Sequence, residues 1–216
     1  GDEWAGSLGR AAAFSFHPRK SMTTGEGGML TTTDPALAEV AEKLRNHGAE
    51  ISEEQRHAGP QPYLLPDFNL LGFNYRMTDL QGAIGLVQLG KLEQFIAERQ
   101  TWADFYTDEL AGIPWLAMPE QPVSGRHAWQ AFVTRVRPDV DRNRIMASLY
   151  EMGISTRPGT HAIHTLGYYS HRLSHLVDDL PASRDCQNQT MALPLHNRMS
   201  PADYEHVVAS LRSVRA

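Results

Sequence analysis

The chain has 216 residues, of which 41% are hydrophobic and 21% are charged, as in a globular protein with one large domain or two small ones. Its formal net charge of −5 argues against nucleic-acid binding, and no apolar run is long enough to cross a membrane. A single cysteine, Cys186, excludes an internal disulfide and predicts a reducing compartment, for which we expect the cytoplasm.

The first third of the chain reads as two strands, a helix and a loop. Residues 11–16 are small and apolar, which predicts a buried strand, and residues 27–33 predict a second strand that returns alongside it. Asp34 before a proline begins a helix that ends near Gly48. Residues 49–67 hold charges, three prolines and a glycine, and therefore predict a loop.

The rest of the chain alternates between helical and strand patterns. Thr78 and Gln81 form a capping box, and one long helical pattern follows it to about residue 112. Strands and helices then alternate, and a last helix begins at Ser200. The predicted segments are strands at residues 129–137, 154–157 and 191–195, and helices at residues 141–152 and 181–189. This alternation predicts a small α/β domain.

The most informative segment spans residues 14–28, directly after the first predicted strand. It reads Phe-Ser-Phe-His-Pro-Arg-Lys-Ser-Met-Thr-Thr-Gly-Glu-Gly-Gly, with Lys20 among hydroxyl residues and glycines. Burial lowers the pKa of a lysine, and the free amine then forms Schiff bases with aldehydes. Hydroxyls and glycine N–H groups suit a phosphate, so the segment matches what pyridoxal phosphate (PLP) needs. A solvated lysine in a glycine-rich turn is the other interpretation that composition leaves open.

Four segments, in order along the chain, resemble motifs of the DegT/DnrJ/EryC1/StrS family of sugar aminotransferases. They are Ser-Phe-His-Pro through Thr-Thr-Gly-Glu-Gly-Gly at residues 15–28, Gly-Phe-Asn-Tyr-Arg-Met-Thr-Asp-Leu-Gln at 72–81, Gly-Ile-Ser-Thr-Arg-Pro-Gly-Thr-His at 153–161, and Leu-Pro-Leu-His at 193–196. The resemblance implies an α/β, type I (aspartate aminotransferase-like) PLP fold. It implies the C-terminal part of the large PLP-binding domain in residues 1–98 and the small α/β domain in residues 99–216.

The resemblance also implies roles for individual residues in binding the cofactor. Lys20 would hold PLP as a Schiff base and move the proton between the substrate carbon and the cofactor. Ser15 would bind the PLP phosphate, although a strand serine also bonds to backbone. Asn74 would reach across a homodimer to the partner's phosphate, so that each site needs two chains, although a turn asparagine is the alternative.

Arg157, His161 and His164 are the candidates for substrate binding. The guanidinium of Arg157 suits a carboxylate or phosphate, and in the family this stretch lies near the substrate entrance. A surface loop is the alternative. A metal site formed by these histidines with His171 and His175 is not expected, because Glu or Cys ligands that would complete a zinc set are missing from this stretch.

By resemblance, the function is PLP-dependent transfer of an amino group, with L-glutamate as the expected donor, to a keto-sugar nucleotide, giving an amino sugar. The Arg-Pro-Gly-Thr-His stretch at residues 157–161 is similar to members that aminate a 4-keto-6-deoxy sugar, such as perosamine synthases. Two alternatives remain open, a PLP-dependent sugar dehydratase and a non-catalytic or regulatory member. In the dehydratases a histidine replaces the lysine, so Lys20 argues against that alternative.

The chain starts partway through the family's pattern, with about the N-terminal half of a member absent. In the family, the acid that binds the pyridine nitrogen and the group over the ring come from that half. Asp2 and Glu3 precede Lys20 too closely to match that acid. We therefore expect that the chain does not transaminate alone, and that it leaves apolar surface exposed.

Overall fold

The chain, described here by a computed structural model over residues 3–121, 123–172 and 179–215, divides into two compact units. Unit 1 is Gly1–Leu92 and unit 2 is Glu93–Ala216. The boundary predicted from the sequence, after residue 98, lies six residues further along, within the same helix (Leu92–Leu110). That unit 1 belongs to a large domain and unit 2 to a small one stays a prediction.

Unit 1 begins with a hairpin and a helix that the sequence predicted. Strands β1 (Ala11–Ser15) and β2 (Gly28–Thr32) pair antiparallel. Helix α1 (Pro35–Arg45) begins where the Asp34 carboxylate accepts two backbone N–H bonds. The predicted burial of β1 is wrong: four of its five residues are exposed, because the described residues that contact the hairpin, such as Gly6, leave most of its surface open.

Two helical segments of unit 1 differ from the sequence prediction. Helix α2 (Glu53–Ala58) forms within the predicted loop, because Ser52 and Gln55 make a reciprocal capping box. The long helix after Thr78 is two helices, α3 (Asp79–Gly90) and α4 (Leu92–Leu110), which are separated at Lys91. Apolar spacing alone did not reveal this break.

Unit 2 is an antiparallel sheet with helices packed around it. The sheet has the order β3-β4-β6-β5, formed by β3 (Leu116–Ala117), β4 (Phe132–Val136), β5 (Arg157–Pro158) and β6 (Thr190–Leu193). The helices are α5 (Arg142–Glu151), α6 (Gly167–Ser170), α7 (Pro181–Gln189) and α8 (Pro201–Ser213). The predicted α/β character is confirmed, although β4, β5 and β6 are each shorter than predicted and β5 begins only at Arg157. Among the described residues, no helix is both long and apolar enough to cross a membrane.

The hydrophobic core lies entirely in unit 2 as far as the structure is described. It includes the fully buried side chains of Leu110, Phe132, Leu149 and Tyr204, and the Trp102 ring stacks on the Tyr204 ring with centroids 4.1 Å apart. In the described part of unit 1, only Phe16 and Ala49 are buried apolar residues. The apolar side chains of α3 are exposed instead, which is the exposed apolar surface that the resemblance implied.

Two leucines test this difference between the units. Leu110 is completely buried, whereas Leu86 on α3 is 74% exposed. We expect Leu110→Ala to lower the free energy of unfolding of unit 2 by about 2–5 kcal/mol, because it leaves a cavity. Leu86→Ala, the matched control, should change that free energy by no more than about 0.5 kcal/mol. Urea unfolding followed by tryptophan fluorescence measures both, and equal losses would contradict the assignment of the core.

Candidate functional site

The segment that carries Lys20 is a loop closed at its base by backbone hydrogen bonds. Phe16 donates its N–H to the Gly27 carbonyl at 2.9 Å and accepts one from Thr24 at 3.1 Å. Within the loop, the Lys20 N–H donates to the His17 carbonyl at 2.9 Å. The Lys20 side chain is half-buried, and its ammonium makes no hydrogen bond or ion pair to any described residue. The Lys20 amine is therefore not ion-paired with a described carboxylate.

The threonine hydroxyls, which the sequence offered as phosphate ligands, bond to the loop itself. Thr23 Oγ1 donates to the Phe16 carbonyl at 2.8 Å, and Thr24 Oγ1 donates to the Glu26 carbonyl at 2.6 Å. Gly27 has a φ of 151°, and a Cβ there would lie 2.5 Å from Thr24 Oγ1. Glycine is therefore required at this position for the turn to close.

Ser15 lies at the end of β1 opposite Gly28, and its side chain is exposed. Its Oγ accepts the His17 N–H at 3.4 Å, and its own hydrogen is not donated to any described residue. An unpaired amine at Lys20 and a free hydroxyl at Ser15 fit the aldehyde and the phosphate of PLP. Asp2, which the sequence argument considered for the ring nitrogen, lies outside the described residues.

Asn74 is held in place by a close backbone contact in unit 1. A Cβ on Gly48 would lie 1.9 Å from the Leu70 carbonyl oxygen, and one on Gly72 would lie 2.1 Å from Gly48 N. This contact brings Asn46 and Asn74 into an antiparallel bridge. Asn74 is exposed and lines an open groove of about 1150 Å³ within unit 1. Its side chain is accessible, as a contact with a partner chain requires.

An ion-paired cluster of three residues along the same groove was not singled out from the sequence. Lys43 Nζ lies 2.8 Å from Glu39 Oε1 and 3.0 Å from Glu50 Oε2. Hydrogen bonds to Glu39 and then Glu50 raise the pKa of Lys43 above its usual range. This lysine is therefore held as a cation by two carboxylates, whereas Lys20 has no such ion pair among the described residues.

The three predicted substrate-binding residues of unit 2 differ in exposure. Arg157 lies on β5 opposite Ala192 of β6 and is exposed, and His161 is also exposed. His164 is only 4% exposed, and its Nε2 is buried without a hydrogen-bond partner among the described residues. The first two side chains are accessible to a substrate, whereas the His164 ring is not accessible in this conformation.

The metal alternative gains no support from the described geometry. Within residues 3–121, 123–172 and 179–215, no group of three or more His, Cys, Asp or Glu side chains is arranged to hold a metal ion. His171 is the C-cap residue that follows helix α6, and His175 lies outside the described residues.

The fourth motif, Leu-Pro-Leu-His at residues 193–196, is held by buried side chains through its backbone. The Pro194 carbonyl accepts the Tyr106 hydroxyl at 2.9 Å, and the His196 carbonyl accepts the Tyr204 hydroxyl at 3.1 Å. Arg99, which is 7% exposed, donates to the Leu195 carbonyl at 3.4 Å. Burial raises the pKa values of both tyrosines, which keeps them protonated as donors. This motif therefore shapes the turn before α8.

Comparison with known proteins extends over nearly the whole chain. The model of the DegT/DnrJ/EryC1/StrS aminotransferase family matches residues 1–212. The chain is 34% identical to the GDP-perosamine synthase of Caulobacter vibrioides and 33% identical to the spore coat polysaccharide biosynthesis protein SpsC of Bacillus subtilis. Each match covers 97% of this chain and 54% of the relative. The chain thus spans about half the length of the curated relatives it matches.

A solved structure agrees with these sequence matches. The aminotransferase TlmJ of Streptoalloteichus hindustanus superposes with a TM-score of 0.85 at 27% identity, covering 98% of this chain and 54% of TlmJ. The predicted type I PLP fold is confirmed by this likeness together with the family match. The chain therefore belongs to the DegT/DnrJ/EryC1/StrS aminotransferase family.

Proposed function

We propose that this chain carries the lysine and part of the phosphate site of a PLP-dependent aminotransferase that acts on a keto-sugar nucleotide, with L-glutamate as the amino donor. The observation that carries the proposal is the Lys20 amine, which has no partner among the described residues, in the loop that matches the family's lysine motif. The relatives named for perosamine synthesis and for polysaccharide biosynthesis support a sugar substrate.

Each cofactor-binding residue has a definite task in this proposal. PLP, when bound, supplies the electron sink that lets an amino group leave one carbon and join another. Lys20 holds the cofactor covalently, and its released amine moves the proton at the reacting carbon. Ser15 donates its free hydroxyl to the phosphate, and Asn74 donates its amide to the phosphate held by a second chain, so that the active unit is a homodimer.

Substrate recognition falls to the residues of unit 2. The Arg157 guanidinium pairs with a carboxylate of the donor or a phosphate of the nucleotide, for which its bidentate fork is suited. His161 donates a hydrogen bond to the sugar nucleotide, whereas the buried ring of His164 lies in the same loop and does not reach the substrate in this conformation. The nitrogen of L-glutamate replaces the ketone oxygen of the sugar, and the donor leaves as 2-oxoglutarate. We propose a 4-keto-6-deoxy sugar linked to GDP as substrate and the cytoplasm as location.

A non-catalytic role is the second candidate, and one observation favours it. The described part of unit 1 has almost no buried apolar side chains. In this alternative the protein binds PLP or a partner without turnover. A sugar dehydratase is disfavoured by Lys20, because a histidine takes the place of this lysine in such enzymes.

The test of the cofactor site is borohydride reduction of the chain mixed with PLP, followed by mass spectrometry of the labelled peptides. The sequence contains three lysines, Lys20, Lys43 and Lys91, so only these three side chains can be labelled. We expect labelling of Lys20, whereas Lys43 is ion-paired and the exposed Lys91 reports non-specific reaction. Equal labelling of all three lysines would contradict the proposed site.

The test of the reaction is amino transfer from L-glutamate to GDP-4-keto-6-deoxymannose, measured as amino-sugar nucleotide by mass spectrometry. It is run on the chain alone and on the chain supplied with the N-terminal half of a family member. We call the chain supplied with that N-terminal half the completed protein, and an amino sugar is its expected product. A 3-deoxy sugar would favour the dehydratase alternative, and PLP binding without any product would favour the non-catalytic one.

A further inference from the structure

The stretch of unit 2 that presents His161 is attached to the neighbouring strands at one end. Gly159 donates its N–H to the Thr190 carbonyl at 3.2 Å. A Cβ on Gly159 would lie 2.4 Å from Val133 Cγ1 and 2.6 Å from Thr190 Oγ1. The backbone therefore lies directly against β4 and β6 at this point, without room for a side chain.

The other end of the stretch is attached to helix α7. Ala162 is completely buried, and its N–H donates to Gln187 Oε1 at 2.7 Å. Thr165 Oγ1 donates to the Ala162 carbonyl at 2.7 Å and lies 3.5 Å from the same Gln187 oxygen. A buried N–H without an acceptor is strongly disfavoured, so the Gln187 side chain satisfies a requirement of this turn.

A buried arginine holds the two points of attachment together. Arg142 Nη1 donates to the Gln187 carbonyl at 2.7 Å and to the Thr190 carbonyl at 2.9 Å. Its side chain is largely buried, and desolvation lowers its pKa from the ordinary arginine value. Arg142 thus links the end of α7, which binds Ala162, to the start of β6, which binds Gly159.

Only two residues, Thr160 and His161, lie between these two attachments, and both are exposed. Three peptide steps reach at most about 11 Å, so fixing both ends leaves His161 a small range of positions. We propose that Gln187 is a positioning residue, which sets the place of His161 for the sugar nucleotide without touching the substrate. This proposal rests on the proposed function, because it assigns His161 to substrate binding.

The amide oxygen of Gln187 is the feature to remove. Gln187→Met keeps a similar length and loses the acceptor, whereas Gln187→Glu keeps an oxygen acceptor. Asn188→Met is the matched control, because Asn188 is the next residue of α7 and is exposed. The first measurement is hydrogen exchange of the Ala162 amide by NMR in the full chain, which needs neither cofactor nor substrate.

We expect the Ala162 amide to exchange at least about tenfold faster in Gln187→Met, and within about twofold of the unmodified rate in the other two variants. When the chain is supplied with the N-terminal half of a family member and transfers amino groups, Gln187→Met should raise the KM for GDP-4-keto-6-deoxymannose by about tenfold or more. The KM for L-glutamate should change by less than about twofold, and Gln187→Glu should restore sugar binding.

The outcomes separate this proposal from the proposed function. Unchanged exchange of Ala162, or an unchanged sugar KM in an active Gln187→Met protein, would overturn the positioning role alone. Equal losses for sugar and glutamate would also overturn it, since they indicate general destabilisation. No amino transfer by the unmodified, completed protein would overturn the proposed function, and the positioning role with it.

Discussion

Replacing Lys20 by alanine is expected to abolish amino transfer by the completed protein. In the proposed function, the Lys20 amine both holds PLP and moves the proton, and general acid–base catalysis alone contributes roughly 10²–10⁴-fold to a rate. We therefore expect kcat to fall by at least about 10³-fold. Initial rates of amino-sugar formation at saturating L-glutamate and keto-sugar nucleotide measure the effect.

Lys91→Ala provides the control for this experiment. Lys91 is exposed and separates α3 from α4, so its loss should leave the rate within about twofold. Exogenous methylamine should partly restore turnover to Lys20→Ala, because a small amine replaces the missing base. A Lys20→Ala protein that keeps more than a tenth of the unmodified rate would show that another group does the proton transfer.

Hydrogen exchange of the full chain is expected to separate the two units. Amides of β4, β6 and α8 should exchange at least about a hundredfold more slowly than those of β1 and β2, because they open only with the core. The β1–β2 pair is a hairpin with largely exposed side chains, and an isolated hairpin is marginally stable. Peptide-level mass spectrometry over a range of labelling times measures the difference.

Two further exchange measurements test whether the difference in protection comes from the core of unit 2. Addition of the N-terminal half of a family member should slow exchange in β1, β2 and α3, where apolar side chains are exposed, and leave β4 and β6 unchanged. Leu110→Ala should speed exchange in unit 2, because Leu110 belongs to its core. Equal protection of both units in the chain alone would contradict the view that unit 1 lacks a core of its own.

Local signals in the sequence were reliable where the interaction spans only a few residues. The Asp34, Asp141 and Ser200 side chains cap the helices that begin beside them, and each accepts N–H bonds from residues two or three positions ahead. The turn after Lys20 is likewise closed by bonds within its own segment. Such features depend only on residues that are close together in the sequence. The family motifs could be recognised from the sequence for the same reason, since each is a short continuous run.

Local signals failed where packing decided the outcome. The apolar pattern of β1 predicted burial, but four of its five residues are exposed. The long helical pattern did not reveal the break at Lys91, since both helices keep apolar residues at helical spacing. The spacing of His161 and His164 did not indicate that His161 is exposed and His164 is buried, with only 4% of its surface exposed.

The sequence by itself determined the family, the lysine loop, most helix starts and the α/β alternation of the second half, because these depend on neighbours along the chain. Only the tertiary structure decided that the described core belongs to unit 2, that His164 is buried, and that Gln187 holds Ala162. The last contact joins residues 25 positions apart. It has no sequence signature, because it depends on where α7 packs against the sheet.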